Sequence, residues 1–271
     1  MKPITTLVLS AFLATTSFAL TIPIPGISSL LEARRSKQPV GAPKYFHEPG
    51  GNDELGHYDG RYFAGVVKYD DHLVNLRHLV RSYLTVFRAL GVDTWLAHGT
   101  LLGWWWNGQI MPWDYDLDTQ VTASSLLYLG EHYNRTMHEY RYLDDETGEE
   151  RTKVYLLDVN PNIVDRDRGN GMNVIDARWI DTSTGMFIDI TGLAERDPSR
   201  APGVWACKNN HRYKTTQLYP MRETEFEGVP ALVPYEFDTM LVEEYGKKSL
   251  VTTTWQGHKW DPSVKEWVKQ K

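Results

Sequence analysis

Three aspartates at alternate positions, Asp114, Asp116 and Asp118, follow a Gly99-Thr100 pair in the stretch WLAHGTLLGWWWNGQIMPWDYDLDTQV, residues 95–121. Carboxylates in that layout suit a metal-dependent site that handles phosphate. If residues 116–121 form a strand, Asp116, Asp118 and Gln120 share one face, and Leu117, Thr119 and Val121 share the other. The two carboxylates then lie about 7 Å apart along the chain. Like charges that close repel unless a cation, a basic partner or a shared proton offsets them, or unless water solvates them on an open strand. Asp114 has two readings, as a ligand or substrate contact and as the cap of the turn ahead of the strand.

A third acid, Asp189, sits in Phe187-Ile188-Asp189-Ile190, where alternation sets it opposite the two isoleucines. If that strand pairs beside the one bearing Asp116 and Asp118, three carboxylates converge. Such an all-oxygen set prefers Mg²⁺ or Mn²⁺ to zinc, which favours His and Cys ligands. The ion would bridge phosphates and neutralise charge as a phosphoryl group moves. Asp189 is also the candidate to orient or deprotonate an attacking hydroxyl.

Groups that would hold the donor phosphates surround these acids in the sequence. Gly99 and Thr100 fall where a strand turns into a helix, and the free N–H groups of a first helical turn face anions, with the Thr hydroxyl beside them. Arg178 would add a bidentate guanidinium, or else form a salt bridge with Asp176 or Asp181. Lys208 and His211, in CKNNHRYK (residues 207–214), would supply further contacts, or belong to an exposed basic loop. His98 is either a substrate contact or a packed, hydrogen-bonded side chain. Trp104, Trp105 and Trp106 must face different directions on a short helix, so they cannot all be core, and Trp105 is the candidate to stack on a base or sugar ring.

The elements that must position these residues follow from periodicity. Apolar residues from Leu73 to Leu90 recur at helical spacing, which predicts a helix over 72–90 with Gly91 as its cap. A short strand over 94–98, a turn at 99–100 and a helix over 101–107 come next, then the aspartate strand. Residues 126–139 are expected to be helical and 153–159 a strand, with a charged loop at 144–151 between them. Strands over 173–180 and 186–191, joined by the turn at 181–185, are expected to pair antiparallel. Glu236–Tyr245 is the clearest helix in the last seventy residues.

Length and composition allow one domain of ordinary globular character: 271 residues, 41% hydrophobic and 24% charged. A net charge of −6 argues against nucleic acid as a partner. Lys2, an apolar run over 4–20 and the small residues around Phe18 predict a signal peptide, residues 1–19, cleaved after Ala19. The alternative is an uncleaved Golgi-type signal anchor. Either address implies the secretory pathway, in the Golgi lumen or beyond the cell, where the sequon Asn134-Arg135-Thr136 would be glycosylated at Asn134. Residues 20–60, rich in Pro and Gly, read as a linker passing into an irregular arm, and 61–271 as the domain proper. The arm's aromatic, His and Arg residues either pack it on the domain or line the site. Cys207 is the single cysteine, which excludes an intrachain disulfide and a Cys-rich zinc site.

HGTLLGWWWNG (98–108), PWDYDLD (112–118) and ARWIDTSTGMFIDITGL (177–193) together resemble the LicD family of phosphotransferases, which includes fukutin-type enzymes and fungal proteins linked to mannosylphosphate transfer. The resemblance implies an α/β (α+β) fold of the nucleotidyltransferase, or polymerase-β, type: a mixed sheet flanked by helices. It implies transfer of a phospho-sugar or phospho-alcohol from a nucleotide-diphosphate donor to a glycan hydroxyl, with Asp116, Asp118 and Asp189 matching the acids that hold the metal. Trp106 stands where many members carry a basic residue, so that phosphate contact is not carried over. The fungal members point to mannosylphosphate on cell-wall or glycoprotein mannan with GDP-mannose as donor, and the sister option is a CDP-linked donor. Two other classes stay open: a noncatalytic regulator of a membrane-bound transferase, and a metal-dependent glycan-binding module.

Overall fold

Leu76, Leu79, Val80, Tyr83, Leu84 and Phe87 recur at steps of one, three and four residues, and this pattern folds as helix α1, Tyr69–Ala89, with all six side chains buried. Gly91 follows at φ +67°, its N–H on the Arg88 carbonyl, and so terminates the helix as expected. The computed structural model describes residues 43–52, 54–144, 147–166 and 172–270. The expected signal peptide and the first half of the linker lie outside them. Among the described residues, no helix is long and apolar enough to cross a membrane.

The chain continues through β1 (Thr94–Leu96), α2 (His98–Asn107), β2 (Leu117–Thr122), α3 (Ala123–His132), β3 (Thr136–Leu143), β4 (Glu150–Val159), β5 (Ala177–Asp181) and β6 (Phe187–Glu195). These strands form one sheet in the order β1-β2-β6-β5-β4-β3, which β7 (Val204–Ala206) and β8 (Arg212–Lys214) extend along the end of β6. Every pair is antiparallel except β2 and β6, which run parallel. A parallel pair needs a long crossover, and α3 with β3, β4 and β5 supplies it. The fold is therefore the expected α/β arrangement, a mixed sheet flanked by helices. After a one-turn helix α4 (Thr215–Leu218) come a hairpin of β9 (Arg222–Phe226) and β10 (Val229–Val233), helix α5 (Phe237–Tyr245), and a meander of β11 (Thr254–Trp255), β12 (His258–Asp261) and β13 (Glu266–Lys269).

The two faces of β2 bury different partners. Thr119 donates to the Tyr83 hydroxyl of α1, so the Leu117-Thr119-Val121 face lies toward that helix. Gln120, on the acid-bearing face, accepts from the Trp95 indole, which packs in a cluster with Leu193, Cys207, Tyr213, Leu218 and Met240. The arm is packed as well: Phe46 and Tyr58 are buried, and Asp59 N–H bonds to the Gly185 carbonyl.

Two expectations need correction. No separate turn stands at 99–100, because His98 at φ +52° makes the bend within one residue and helix α2 begins there. The helix expected over 126–139 stops at His132, and residues from Thr136 onward form β3. There Thr136, His138, Tyr140 and Tyr142 make a half-buried face alternating with exposed residues, and cross-strand pairing with β4 decides the outcome.

Candidate functional site

Asp118 and Asp189 stand directly in register across the parallel β2–β6 pair. Neighbouring positions in register project to the same face, so the local alternation of each strand becomes convergence of two acids. Asp118 is fixed from behind: its N–H donates to Thr100 Oγ1 at 2.9 Å, and its carbonyl accepts from Ala97 N–H at 3.1 Å. The Thr100 side chain is thereby buried and staples the start of α2 to the acid strand rather than reaching outward. Gly99 admits Asp114: a Cβ there would stand 3.0 Å from Asp114 Oδ2. The N–H groups of His98, Gly99 and Thr100 precede the first i to i−4 bond of α2, from Leu101 to Ala97, and so form the anion-facing end of that helix.

Crowding of acids sets the electrostatics. Burial, with Asp116, Asp189 and Glu244 nearby, pushes Asp118 up to about 8, although the His98 charge opposes the shift. Burial and the carboxylate of Asp116 hold Asp114 well above the usual range. Asp114 also accepts from the backbone of Asp116, which is the turn-capping role. Asp189 is raised by burial, and Arg178 offsets part of that rise. A site whose acids are driven toward protonation in this way gains from a cation. Asp116 is more open than Asp189, with 43% of its side chain exposed against 17%, and its Oδ2 lies 3.8 Å from His57 Nε2.

Arg178 stands opposite Asp189 in the β5–β6 pair and is buried. Its Nε donates to Asp189 Oδ1 at 2.8 Å and its Nη2 to Glu48 Oε1 at 2.7 Å, while the guanidinium lies 3.6 Å from the Phe187 ring centroid. Of its two readings the salt bridge is the one formed, but with Asp189 and Glu48. Asp176 pairs instead with Arg166 and Lys208, and Asp181 with Lys153. Arg178 therefore orients the third acid and ties the arm to it.

Lys208 corrects both of its readings. The side chain is buried, neither an exposed loop residue nor a free cation, and Nζ is within 2.9 Å of Asp176 Oδ1 and of the carbonyls of Asn162 and Asn173. Three acceptors consume its three donors, which leaves none for a phosphate. His211 does reach the site: its ring lies 4.4 Å from that of His98. His98 is hydrogen-bonded, as one of its readings had it, with Nδ1 2.6 Å from Glu244 Oε1.

Among the described residues, the group of metal-ligating side chains whose ligand atoms all lie within 4.8 Å of one another is His98, His211 and Glu244, not the aspartates. In the aspartate set, Arg178 engages Asp189 Oδ1 and Asp116 leans toward His57. Trp104 donates to Thr224 and Trp106 to the Ser249 carbonyl, so both dock C-terminal elements on α2, while Trp105, half-buried, meets Trp106 edge-on at 5.3 Å. Asn134 is exposed between α3 and β3, and its Oδ1 accepts from Val159 N–H.

Sequence reasoning missed Glu48 and Glu244, and reached His57 only as one of the arm's histidines with either a packing or a site-lining role. Only Glu244 carried a local signal, an acid pair in the last turn of a predicted helix, where the macrodipole disfavours negative charge.

Residues 91–236 match the family model described as LicD/FKTN/FKRP, nucleotidyltransferase domain. The chain is 38% identical over 166 residues to "Mannosyltransferase regulator 4" of Saccharomyces cerevisiae, covering 58% of this chain and 14% of that protein. It is 34% identical over 175 residues to "Mannosyltransferase regulator 14" of the same yeast, covering 60% and 18%. Over 46 residues it is 49% identical to the human "Ribitol 5-phosphate transferase FKRP", covering 17% and 9%. The chain thus spans less than a fifth of the length of these relatives. The matched segment holds the paired acid strands, the helix start behind them and Arg178, and on that ground the chain belongs to the LicD/FKTN/FKRP nucleotidyltransferase-domain family.

Proposed function

We propose that this chain is a metal-dependent phosphotransferase of the secretory pathway, moving a phospho-sugar or phospho-alcohol from a nucleotide-diphosphate donor to a glycan hydroxyl. The observation that carries the reading is the register of Asp118 with Asp189 across a parallel strand pair, with Asp116 one alternation away. Their all-oxygen donor set fits Mg²⁺ or Mn²⁺, and the raised carboxyls of Asp118 and Asp189 fit a site completed by positive charge. Held by Asp116, Asp118 and Asp189, such an ion would supply positive charge against the negative charge that develops at the moving phosphorus.

The first-turn N–H groups at His98, Gly99 and Thr100 hold the donor's phosphate oxygens. Asp189, steered by Arg178, orients the acceptor hydroxyl and takes its proton as the oxygen attacks the distal phosphorus. The bond to the bridging oxygen breaks, a phosphodiester remains on the glycan, and a nucleoside monophosphate leaves. Likeness to the two yeast proteins favours mannosylphosphate, from GDP-mannose onto cell-wall or glycoprotein mannan. Likeness to the ribitol 5-phosphate transferase favours a CDP-linked polyol phosphate.

A second reading rests on the printed names of the yeast relatives: the chain serves as a noncatalytic regulator of a membrane-bound transferase. Incubation of pure protein with Mn²⁺, GDP- and CDP-linked donors and mannan separates the two. The enzyme releases nucleoside monophosphate in proportion to acceptor, and Asp118→Asn abolishes release with the fold intact. Release at the wild-type rate by that variant rules out the acid-centred reaction, and binding of donor without release supports the regulator.

A further inference from the structure

His98 opens α2, His211 lies in the loop before β8, and Glu244 lies in the last turn of α5, so three elements far apart in sequence bring two imidazoles and a carboxylate to one place. One ligand atom from each falls within 4.8 Å of the other two. Each residue is held there against a local preference or by a specific contact. His98 is the one histidine with positive φ among the described residues, and it bears that strain at the first position of a helix. His211 Nδ1 lies 3.5 Å from the buried Cys207 Sγ, which fixes the ring and leaves Nε2 as the nitrogen to ligate. Glu244 stands at the negative end of α5, whose last turn carries no basic residue.

We infer that His98, His211 and Glu244 form a second cation site, for a borderline divalent ion of the Zn²⁺ class, adjoining the all-oxygen site of the aspartates but sharing none of its ligands. Two nitrogens and one carboxylate oxygen are a donor set that Zn²⁺ accepts with a further position open, whereas Mg²⁺ disfavours imidazole. Ligand bonds of about 2.0–2.2 Å require the present spread of atoms to contract, which side-chain rotation supplies once the His98–Glu244 hydrogen bond gives way to the ion. Filling this site ties α5 and the β7–β8 loop to the start of α2, the segment whose Thr100 positions Asp118. The inference needs only these three residues and stands or falls apart from the transfer reaction.

The test uses the full chain, stripped by chelator and then supplied with excess Mg²⁺ so that the oxygen site is occupied. Calorimetric titration with Zn²⁺ alone is expected to give one equivalent of binding, and Co²⁺ to give visible ligand-field bands. His211→Ala and Glu244→Gln are each expected to weaken Zn²⁺ binding by about 100-fold or more. Asp118→Asn is expected to leave Zn²⁺ binding in place while weakening Mn²⁺ binding. X-ray absorption at the zinc edge of the unmutated protein is expected to resolve two imidazoles, a readout that needs no variant to fold. Absence of stoichiometric Zn²⁺ binding, binding indifferent to His211→Ala, or an absorption spectrum with oxygen ligands alone overturns the site. A His98–Glu244 ion pair with no ion is what the first of these results would mean.

Discussion

Asp118→Asn should make the ion-free protein more stable at neutral pH while removing the proposed transfer activity. Asp118 titrates at about 8 in the folded, ion-free chain, against about 3.9 for an unfolded aspartate. An acid whose folded pKa lies above its unfolded value binds extra protons in the folded state, so it costs stability progressively as pH rises from about 4 to about 8. At pH 7 the gap still in force is about three units, which sets a ceiling of about 4 kcal/mol on the cost, and at pH 5 the ceiling falls to between about 1 and 2 kcal/mol. Solvent at the partly accessible carboxylate screens part of this. A gain of even 1 kcal/mol raises the melting temperature of a domain this size by about 2–4 °C. Differential scanning calorimetry in EDTA at pH 5 and pH 8, on both proteins, measures it. The expected result is a higher melting temperature for the variant at pH 8 and a smaller difference at pH 5. Saturating Mn²⁺ should reverse the order, because the parent binds the ion more tightly and gains more binding free energy. Equal or lower stability of the variant at pH 8 in EDTA would refute the claim that the acid cluster is strained without a cation.

Gly103→Ala should destabilise the chain by about 1–3 kcal/mol, since a Cβ would stand 2.5 Å from the Gln109 carbonyl in the loop that leads to the acids. Calorimetric melting checks it, and an unchanged melting temperature would mean that the loop shifts freely. Lys208→Met should cost about 3–5 kcal/mol by leaving Asp176 and two carbonyls short of a donor, yet leave the KM for the donor unchanged in whatever folded protein remains. A raised KM at full folding would return Lys208 to the phosphate site.

The features legible in the sequence were those fixed by local geometry. Strand alternation placed Asp116, Asp118 and Gln120 on one face, helical spacing gave α1, and the turn at 181–185 gave an antiparallel β5–β6 pair. That Asp189 comes into register with Asp118 was conditional on a pairing between strands about seventy residues apart, which no local pattern specifies. Charged side chains were the least legible, because a charge on one element says nothing about which distant group will meet it. Arg178 had two acids close in sequence and took two others, one of them Glu48, 130 residues away on the arm. Lys208 sat in a basic run that reads as solvent-facing, and the cluster around Trp95 drew the neighbouring Cys207 inward and the lysine with it.

Two acids in the last turn of α5, Glu243 and Glu244, oppose the macrodipole, and a helix tolerates that only where solvent or a partner cation offsets the charge. Glu244 has its partner in His98, whose own backbone is strained to reach it. Burial alone would lower the pKa of that imidazole, but Glu244, Asp118 and Asp116 raise it instead. The same field holds Glu244 low: burial pushes it up, and His98 and His211 more than compensate. Positive charge at this spot therefore relieves the C-terminus of α5 and the acids of β2 together. Either a protonated His98 or an ion shared with His211 can supply it, and the two differ in whether Glu244 bonds to hydrogen or to metal.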